Sequence, residues 1–318
     1  NWQVERYPEN DWYNMPVQIV NDAAGKPLRV EVDLAGEKVQ IGVWKVPIGR
    51  TSLFLLDTAL AENSPAARTI TEQLYGGDRE NRIRQEIVLG IGGARALEAM
   101  GLKPTVFHVN EGHSAFLLFE RIRQLMRSRG LSYAEAREVV WGSSVFTTHT
   151  PVMAGNEHFD FELVRKYLET YSKELGLTFP EFLEIGKEEH TSMSFCMTVV
   201  AMRLSAFLNG VSLLHRDVSR DMWHKLWPQL PRYEIPIEGI TNGVHTCSWI
   251  SHEHHQLYSR ALAGGHNGIP DSCDWPRMND IDDRELWDTH MVRKTKLVKL
   301  VRMRLKRQHA RLGADSTV

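Results

Sequence analysis

The first 58 residues alternate apolar and polar positions, as strands do when they bury one face of a sheet. The alternation is clearest in three runs, Val17–Val20, Leu28–Val32 and Val39–Trp44. Residues that favour tight turns fill Asp22–Pro27, between the first two runs. The run Ser52–Asp57 is more continuously apolar and predicts a more buried strand. The pattern therefore predicts antiparallel strands and hairpins over residues 1–58.

After Ser64 the pattern changes to helical segments that alternate with short apolar runs. Ser64 before Pro65 predicts a helix N-terminus, and apolar residues three to four apart predict a helix over Asn81–Met100. Further helices are predicted at Ala115–Arg129, Tyr133–Gly142, 160–174, 178–187, Phe195–Leu208 and Asp217–Trp227. Strands are predicted at Thr105–Val109, Ser144–Thr148, Gly210–Leu214 and Ile237–Thr241. This alternation predicts an α/β fold with a doubly wound, mostly parallel sheet.

Three glycines, Gly90, Gly92 and Gly93, have the composition of a phosphate-binding loop. Such a loop follows a strand, whereas these glycines lie within a helical pattern. Small residues in a helix more often permit close helix packing, and the sequence favours that interpretation.

The C-terminal segment predicts one long helix. Acidic residues from Asp280 to Asp288 precede a basic block from Arg293 to Arg311, which suits the dipole of a helix. Apolar residues between Leu297 and Leu305 predict a packed stripe beside a solvated basic face, rather than a nucleic-acid surface.

Composition narrows the class of protein. The 318 residues are 42% hydrophobic and 25% charged, which is ordinary for a globular protein. The formal net charge of -2 gives no excess of positive charge that would attract a polyanion. No apolar run is long enough to cross a bilayer. Three widely spaced cysteines favour a reducing compartment, so we expect a cytoplasmic protein. From the net charge and the short apolar runs, we expect it to bind neither nucleic acid nor a membrane.

Polar side chains follow four of the predicted strands, where parallel sheets bind ligands. They are His108–His113, His149, His215 and Asn242–His245. For His215 alone, the favoured interpretation is a turn residue whose hydrogen bonds are made within the protein and that has no role in ligand binding.

Three chemistries compete for these turns. A zinc motif needs two histidines four residues apart on one helix face, but His108 and His113 are five apart and His108 belongs to a strand. Nucleophilic catalysis by Ser114 or Cys247 lacks the glycine-flanked elbow of such sites. Recognition of sugar hydroxyl groups by convergent His, Asn and Glu side chains is the third. The sequence predicts no metal site.

Four motifs together resemble the α-glucan (glycogen, starch and maltodextrin) phosphorylases, in their shorter bacterial and archaeal branch. They are His108–Phe116, Phe146–Pro151, Asn209–His215 and Gly239–Val244, and the segment Tyr75–Gly101 also fits. The resemblance implies a two-domain GT-B glycosyltransferase architecture, of which this chain is the Rossmann-like N-terminal half. It also implies that orthophosphate releases glucose 1-phosphate from the non-reducing end of an α-1,4-glucan. The implied cofactor is pyridoxal phosphate.

The resemblance assigns roles to five residues. His149 is the implied catalytic residue, which binds the glucose 6-hydroxyl and turns its backbone carbonyl toward the developing positive charge. Asn242 shares the 6-hydroxyl, and Glu111 with His113 supports the substrate site. Trp249 matches a position beside the cofactor phosphate.

The resemblance also implies a domain organisation. Residues 1–58 form a β-rich segment, 59–265 the sugar-side domain and 266–318 an interdomain helical segment, while the cofactor domain with its pyridoxal lysine is expected outside this chain. The polypeptide alone is therefore expected to bind no pyridoxal phosphate and to be inactive, and the full-length enzyme to be a homodimer. A nucleotide-sugar glycosyltransferase of the same architecture and a non-catalytic glucan-binding module remain alternatives.

Overall fold

The computed structural model describes residues 14–74, 76–262 and 275–311. The chain divides into two compact units, of which the first ends at Thr241 and the second begins at Asn242. Within the described ranges, no helix is both long and apolar enough to cross a membrane. The domain boundaries expected after residues 58 and 265 stay predictions.

The first unit begins with an antiparallel sheet, as the alternating pattern predicted. Its strands are β1 (Gln18–Ile19), β2 (Arg29–Leu34), β3 (Glu37–Ile48) and β4 (Thr51–Asp57). The long strand β3 pairs with each of the other three. The strand predicted at 52–57 is confirmed as β4, but the burial predicted for it is wrong, because β4 pairs only with β3 and its side chains are exposed or half-buried. The core face of the sheet comes instead from β2 and β3, through Val32, Val39 and Ile41.

The glycine-rich segment lies inside a distorted helix. After the short helix α1 (Pro65–Arg68), which Ser64 caps as predicted, α2 (Arg79–Ile87) and α3 (Gly93–Ala99) are joined by a π-helical turn. A Cβ atom on Gly90 would lie 2.8 Å from the backbone nitrogen of Leu117. Because real Cβ atoms do not approach backbone so closely, the glycine permits close packing, as the helical interpretation predicted.

A parallel sheet forms the centre of the first unit. The remaining elements of this unit are β5 (Phe107–Asn110), α4 (Phe116–Arg129), α5 (Tyr133–Gly142), β6 (Ser144–Thr148), β7 (His158–Asp160), α6 (Phe161–Glu174), α7 (Phe179–Gly186), β8 (Ser194–Cys196), α8 (Met197–Arg203), β9 (Phe207–Gly210), α9 (Leu213–Met222) and β10 (Glu238–Gly239). The strand order is β10-β9-β6-β5, with every neighbouring pair parallel. Helices connect these strands, so the predicted α/β class with a parallel sheet is confirmed.

Two further sequence predictions in this unit are wrong. The helix expected over Phe195–Leu208 is shorter, because its first residues form β8, which pairs antiparallel with β7. The strand expected at Gly210–Leu214 lies earlier, at Phe207–Gly210, and Leu213 begins α9. His215 therefore lies in the first turn of a helix, where its Nδ1 accepts a hydrogen bond from the Val211 amide at 3.2 Å.

The second unit contains the short helix α10 (Thr246–Trp249), α11 (His252–Ala261) and the long helix α12 (Asp283–Arg311). The long C-terminal helix is thus confirmed. Glu253 of α11 forms ion pairs with Lys296 and, at 3.8 Å, with Arg293 of α12. No described residue of α12 is buried within this chain.

Candidate functional site

Glu111 joins the turns that follow β5 and β6. Its backbone has φ 58° and ψ 177°, a region that side-chain-bearing residues rarely occupy. In this conformation its carboxylate accepts hydrogen bonds from the backbone amide of His149 and, at 3.0 Å, from the Thr150 hydroxyl. The Glu111 amide donates to the Thr147 carbonyl at 2.9 Å. One acidic side chain therefore fixes the backbone on which His149 is presented.

His149 is exposed at the end of β6. Its Nε2 lies 3.1 Å from the side-chain oxygen of Asn110 at the end of β5. Among the described residues, no donor contacts the His149 carbonyl oxygen. Both the imidazole and a backbone dipole of His149 are thus available to a ligand at this edge of the sheet.

His113 contacts a different set of side chains. Its Nδ1 lies 3.3 Å from a carboxylate oxygen of Glu86 and 3.3 Å from the Arg82 guanidinium. Arg82 also forms ion pairs with Glu86 at 3.2 Å and with Glu157 at 3.4 Å. Sequence reasoning missed Glu86, Arg82 and Glu157, because no local pattern connects these residues with His113.

Glu86, His113 and Glu157 could hold a cation by their donor atoms, which all lie within 4.8 Å of one another. The Arg82 guanidinium, however, already pairs with both carboxylates. A positive charge is therefore provided by the chain itself. Gly112 helps to seat the turn, since a Cβ there would lie 2.9 Å from the amide nitrogen of Thr198.

Burial raises the pKa of Glu86 to about 7, although its hydrogen bond with His113 acts in the opposite direction. One of its two carboxylate oxygens is buried and has no partner in the described chain. A carboxyl group is thus held within the titration range of neutral pH, next to a histidine that the sequence implicated in the site.

Glu86→Gln is expected to change the pH dependence of stability. Because the folded pKa lies above the ordinary value of 4.5, the native protein binds more protons than the unfolded chain between pH 4.5 and 7. The contribution of Glu86 to the free energy of unfolding is therefore fully present below pH 4.5. It falls as the pH rises from 4.5 to 7, by up to about 1.4 kcal/mol per pH unit. In urea unfolding from pH 5 to 8, the free energy of unfolding of Glu86→Gln should rise relative to that of the wild type as the pH increases. The exposed Glu138→Gln is the control variant. A difference between Glu86→Gln and wild type that does not change with pH would contradict the expectation.

A hydrogen-bonded chain inside the sheet accounts for His108. The Thr147 hydroxyl donates to the Asn209 side-chain oxygen at 2.7 Å, so its own oxygen accepts from Nε2 of His108 at 2.6 Å. These three side chains come from β5, β6 and β9. His108 is therefore part of the sheet's internal bonding and does not share a ligand set with His113.

Asn242 and Trp249 belong to the second unit, and both are exposed within this chain. Trp249 is 81% exposed. The sequence from Asn242 to Trp249 contains no lysine or arginine, and the Nδ1 atom of its one imidazole, that of His245, lies 2.7 Å from the Ser248 hydroxyl. A dianionic cofactor phosphate would find no fixed cation in this segment, so these residues alone do not fit pyridoxal phosphate.

Comparisons with known proteins extend the resemblance. The family model for carbohydrate phosphorylases matches residues 95–263, more than half of the chain. The maltodextrin phosphorylase of Thermococcus litoralis is 40% identical over 314 residues, which are 98% of this chain and 37% of that protein. The glycogen phosphorylase of Mycobacterium tuberculosis is 40% identical over 325 aligned positions, covering 98% of this chain and 37% of its own length.

The glycogen phosphorylase of Aquifex aeolicus is 35% identical over 319 aligned positions, covering 100% of this chain and 46% of its own length. This chain thus spans between 37% and 46% of the length of these relatives. The matched region includes the turns that carry Glu111 and His149. The chain belongs to the carbohydrate phosphorylase family.

Proposed function

We propose that this chain is part of an α-1,4-glucan phosphorylase, which uses orthophosphate to release glucose 1-phosphate from the non-reducing end of glycogen, starch or maltodextrin. The observation that carries the proposal is the Glu111 carboxylate, which holds the backbone of the His149–Thr150 turn at the sheet edge. The names of the relatives, maltodextrin phosphorylase and glycogen phosphorylase, supply the substrate class.

In the proposed reaction His149 acts in two ways. Its exposed imidazole donates to or accepts from the 6-hydroxyl of the terminal glucose. Its carbonyl oxygen turns toward the anomeric carbon, where positive charge develops as the glycosidic bond breaks. A dipole fixed before the reaction stabilises this charge without reorganisation. Glu111 is the positioning residue, because it fixes the amide on the other side of the same residue.

The proposal places the other wall of the cleft outside these 318 residues. In it, this chain is the N-terminal half of a GT-B architecture, and a second domain carries the pyridoxal lysine and the groups that hold orthophosphate. The relatives' greater length supports that arrangement. Trp249 would approach the cofactor only when that second domain is present. The full-length protein is proposed to be a cytoplasmic homodimer.

The function test compares the 318-residue polypeptide with the longer protein that we propose. The longer protein should convert maltodextrin and orthophosphate into glucose 1-phosphate and show the near-ultraviolet absorbance of pyridoxal phosphate. The 318-residue chain should do neither. Turnover of a nucleotide sugar in place of orthophosphate would overturn the proposal in favour of a glycosyltransferase, and cofactor bound stoichiometrically to the short chain would overturn its second part.

A residue-level control belongs to the same assay. His149→Ala removes the contact with the 6-hydroxyl, so it should lower kcat/KM for maltodextrin about 100-fold. His190→Ala removes a side chain that is 99% exposed and remote from the sheet edge in sequence, and activity should not change. Equal activity of the two variants would count against the role of His149.

A further inference from the structure

A cavity opens near the amino ends of the strands β5 and β6, at the opposite end of the sheet from the turns that carry Glu111 and His149. Its volume is about 570 Å³, within the range of small-molecule sites. Phe107, the first residue of β5, and Ser143, which precedes β6, both line it. Glu111 and His149 follow the other ends of these two strands, so the cavity is separate from the sugar-side edge.

A buried cation without a counter-charge lines this cavity. Arg121 of α4 is only 8% exposed, and its guanidinium lies 3.6 Å from the ring centroid of Phe107. Its two terminal nitrogens donate to the hydroxyls of Ser143 and Ser144, each at 2.9 Å. Within the described chain, no carboxylate forms an ion pair with Arg121, and no acceptor takes a hydrogen bond from its Nε.

Arg123 differs from Arg121 because it is buried together with carboxylate partners. Arg123, the other buried arginine of the described residues, pairs with Glu120 at 2.5 Å and with Glu174 at 3.2 Å. A buried charge that is not paired carries a large desolvation cost. Burial lowers the pKa of Arg121 to about 10, and the group is still charged at neutral pH. Two hydroxyl groups do not neutralise that charge, whereas a bound anion would.

The walls of the cavity define the kind of anion. Lys103 and Arg129 add positive charge to that of Arg121. Glu98 is the acidic residue that lines the cavity, and it accepts a hydrogen bond from the Gln124 side chain at 2.9 Å. The rest of the lining includes Leu102, Leu125 and Val139.

We propose that this cavity binds a small organic anion, with its carboxylate or phosphate group at Arg121 and its apolar body against Leu102, Leu125 and Val139. The guanidinium offers the planar donor geometry that both oxyanions accept. This site is distinct from the glucan site and does not depend on the phosphorylase activity.

The test uses three aromatic probes of similar size. The full chain is titrated with benzoate, phenyl phosphate and the neutral benzamide, and binding is measured by calorimetry. At least one of the two anions should bind with a stoichiometry of one, and benzamide should bind at least about tenfold more weakly. The tighter anion identifies whether the natural ligand is a carboxylate or a phosphate ester. Equal binding of benzamide, or no binding of either anion, would overturn the proposal.

Substitutions of Arg121 and of Glu98 are expected to change the affinity for the anion in opposite directions. Arg121→Met keeps the apolar packing of the side chain and should weaken the anion about tenfold, whereas Arg127→Met, an exposed arginine of α4 outside this cavity, should leave binding unchanged. Glu98→Gln removes a like charge from an exposed position and should strengthen binding about twofold. If Arg121→Met does not fold, Glu98→Gln still decides, because unchanged or weaker anion binding there would contradict the site.

Discussion

Glu111→Ala is expected to lower the phosphorolytic kcat/KM of the proposed full-length enzyme about 100-fold, mainly through kcat. The carboxylate accepts from both the His149 amide and the Thr150 hydroxyl, so its loss frees the turn that presents His149. Displacement of a catalytic dipole by about 1 Å costs a rate factor of this size. Release of glucose 1-phosphate from maltodextrin at saturating orthophosphate measures the effect, and exposed Glu138→Ala is the control.

Glu111→Gly separates the carboxylate from the strained backbone. It also removes the two hydrogen bonds, but glycine occupies φ 58° and ψ 177° without strain. The glycine variant should therefore be as inactive as the alanine variant, yet more stable to urea by about 1 kcal/mol. Near wild-type activity in either variant would show that the turn holds its shape without the carboxylate, and the positioning role would be wrong.

The elements that the sequence predicted well have signals within a few residues of their ends. The helix predicted at Tyr133–Gly142 has the predicted bounds, and the structure shows that Ser132 and Glu135 form a reciprocal capping box, a local motif, at its start. The strand Ser144–Thr148 follows directly and is bounded by that helix and by a polar turn. The boundaries of these two elements therefore have local signals in the sequence, although β6 also pairs with β5 and β9.

The wrong predictions concern segments whose conformation depends on distant partners. Phe195–Leu208 is nearly continuously apolar, and no local pattern distinguishes one long helix from a shorter helix with a strand on either side. Cys196 becomes strand because it pairs with His158 across a two-stranded sheet, and Phe207 becomes strand because it pairs with Val145 of β6. The sequence between these residues contains no turn signal that would have announced the changes.

The candidate site follows the same rule. Polar residues after parallel strands predicted a shared edge, and the hydrogen bonds of Glu111 join two such turns. The partners of His113 were not predictable, since Glu86 comes from a helix 27 residues earlier whose buried face reads as apolar packing. The roles of all five candidate residues, His149, Glu111, His113, Asn242 and Trp249, stay predictions.

Glu120→Ala is expected to destabilise the first unit by about 3 to 5 kcal/mol, the largest stability effect that we expect from one substitution in this chain. Glu120 is completely buried in α4. It accepts hydrogen bonds from Arg95 at 2.9 Å, from Arg123 at 2.5 Å and from the Tyr171 hydroxyl at 2.8 Å. Without the carboxylate, two guanidinium groups and a phenol lose their shared acceptor, and a cavity takes the place of the side chain.

The pH dependence of Glu120 gives the effect a second signature. Burial alone would raise its pKa, but the hydrogen bonds from Arg123 and Arg95 outweigh it and lower the pKa below 4.5. A lowered folded pKa contributes stability that is present above the unfolded value and is lost as pH falls through the folded one. The urea midpoints of wild type and Glu120→Ala should therefore converge in acid.

The matched control is Glu169→Ala on α6, which breaks an exposed pair with Arg165 at 2.9 Å. That pair should contribute only about 0.3 to 0.5 kcal/mol. Urea unfolding at neutral pH, followed by circular dichroism, compares the two substitutions. A Glu120→Ala cost as small as that of Glu169→Ala would mean that water or other acceptors replace the carboxylate, and the buried network would then contribute little to the fold.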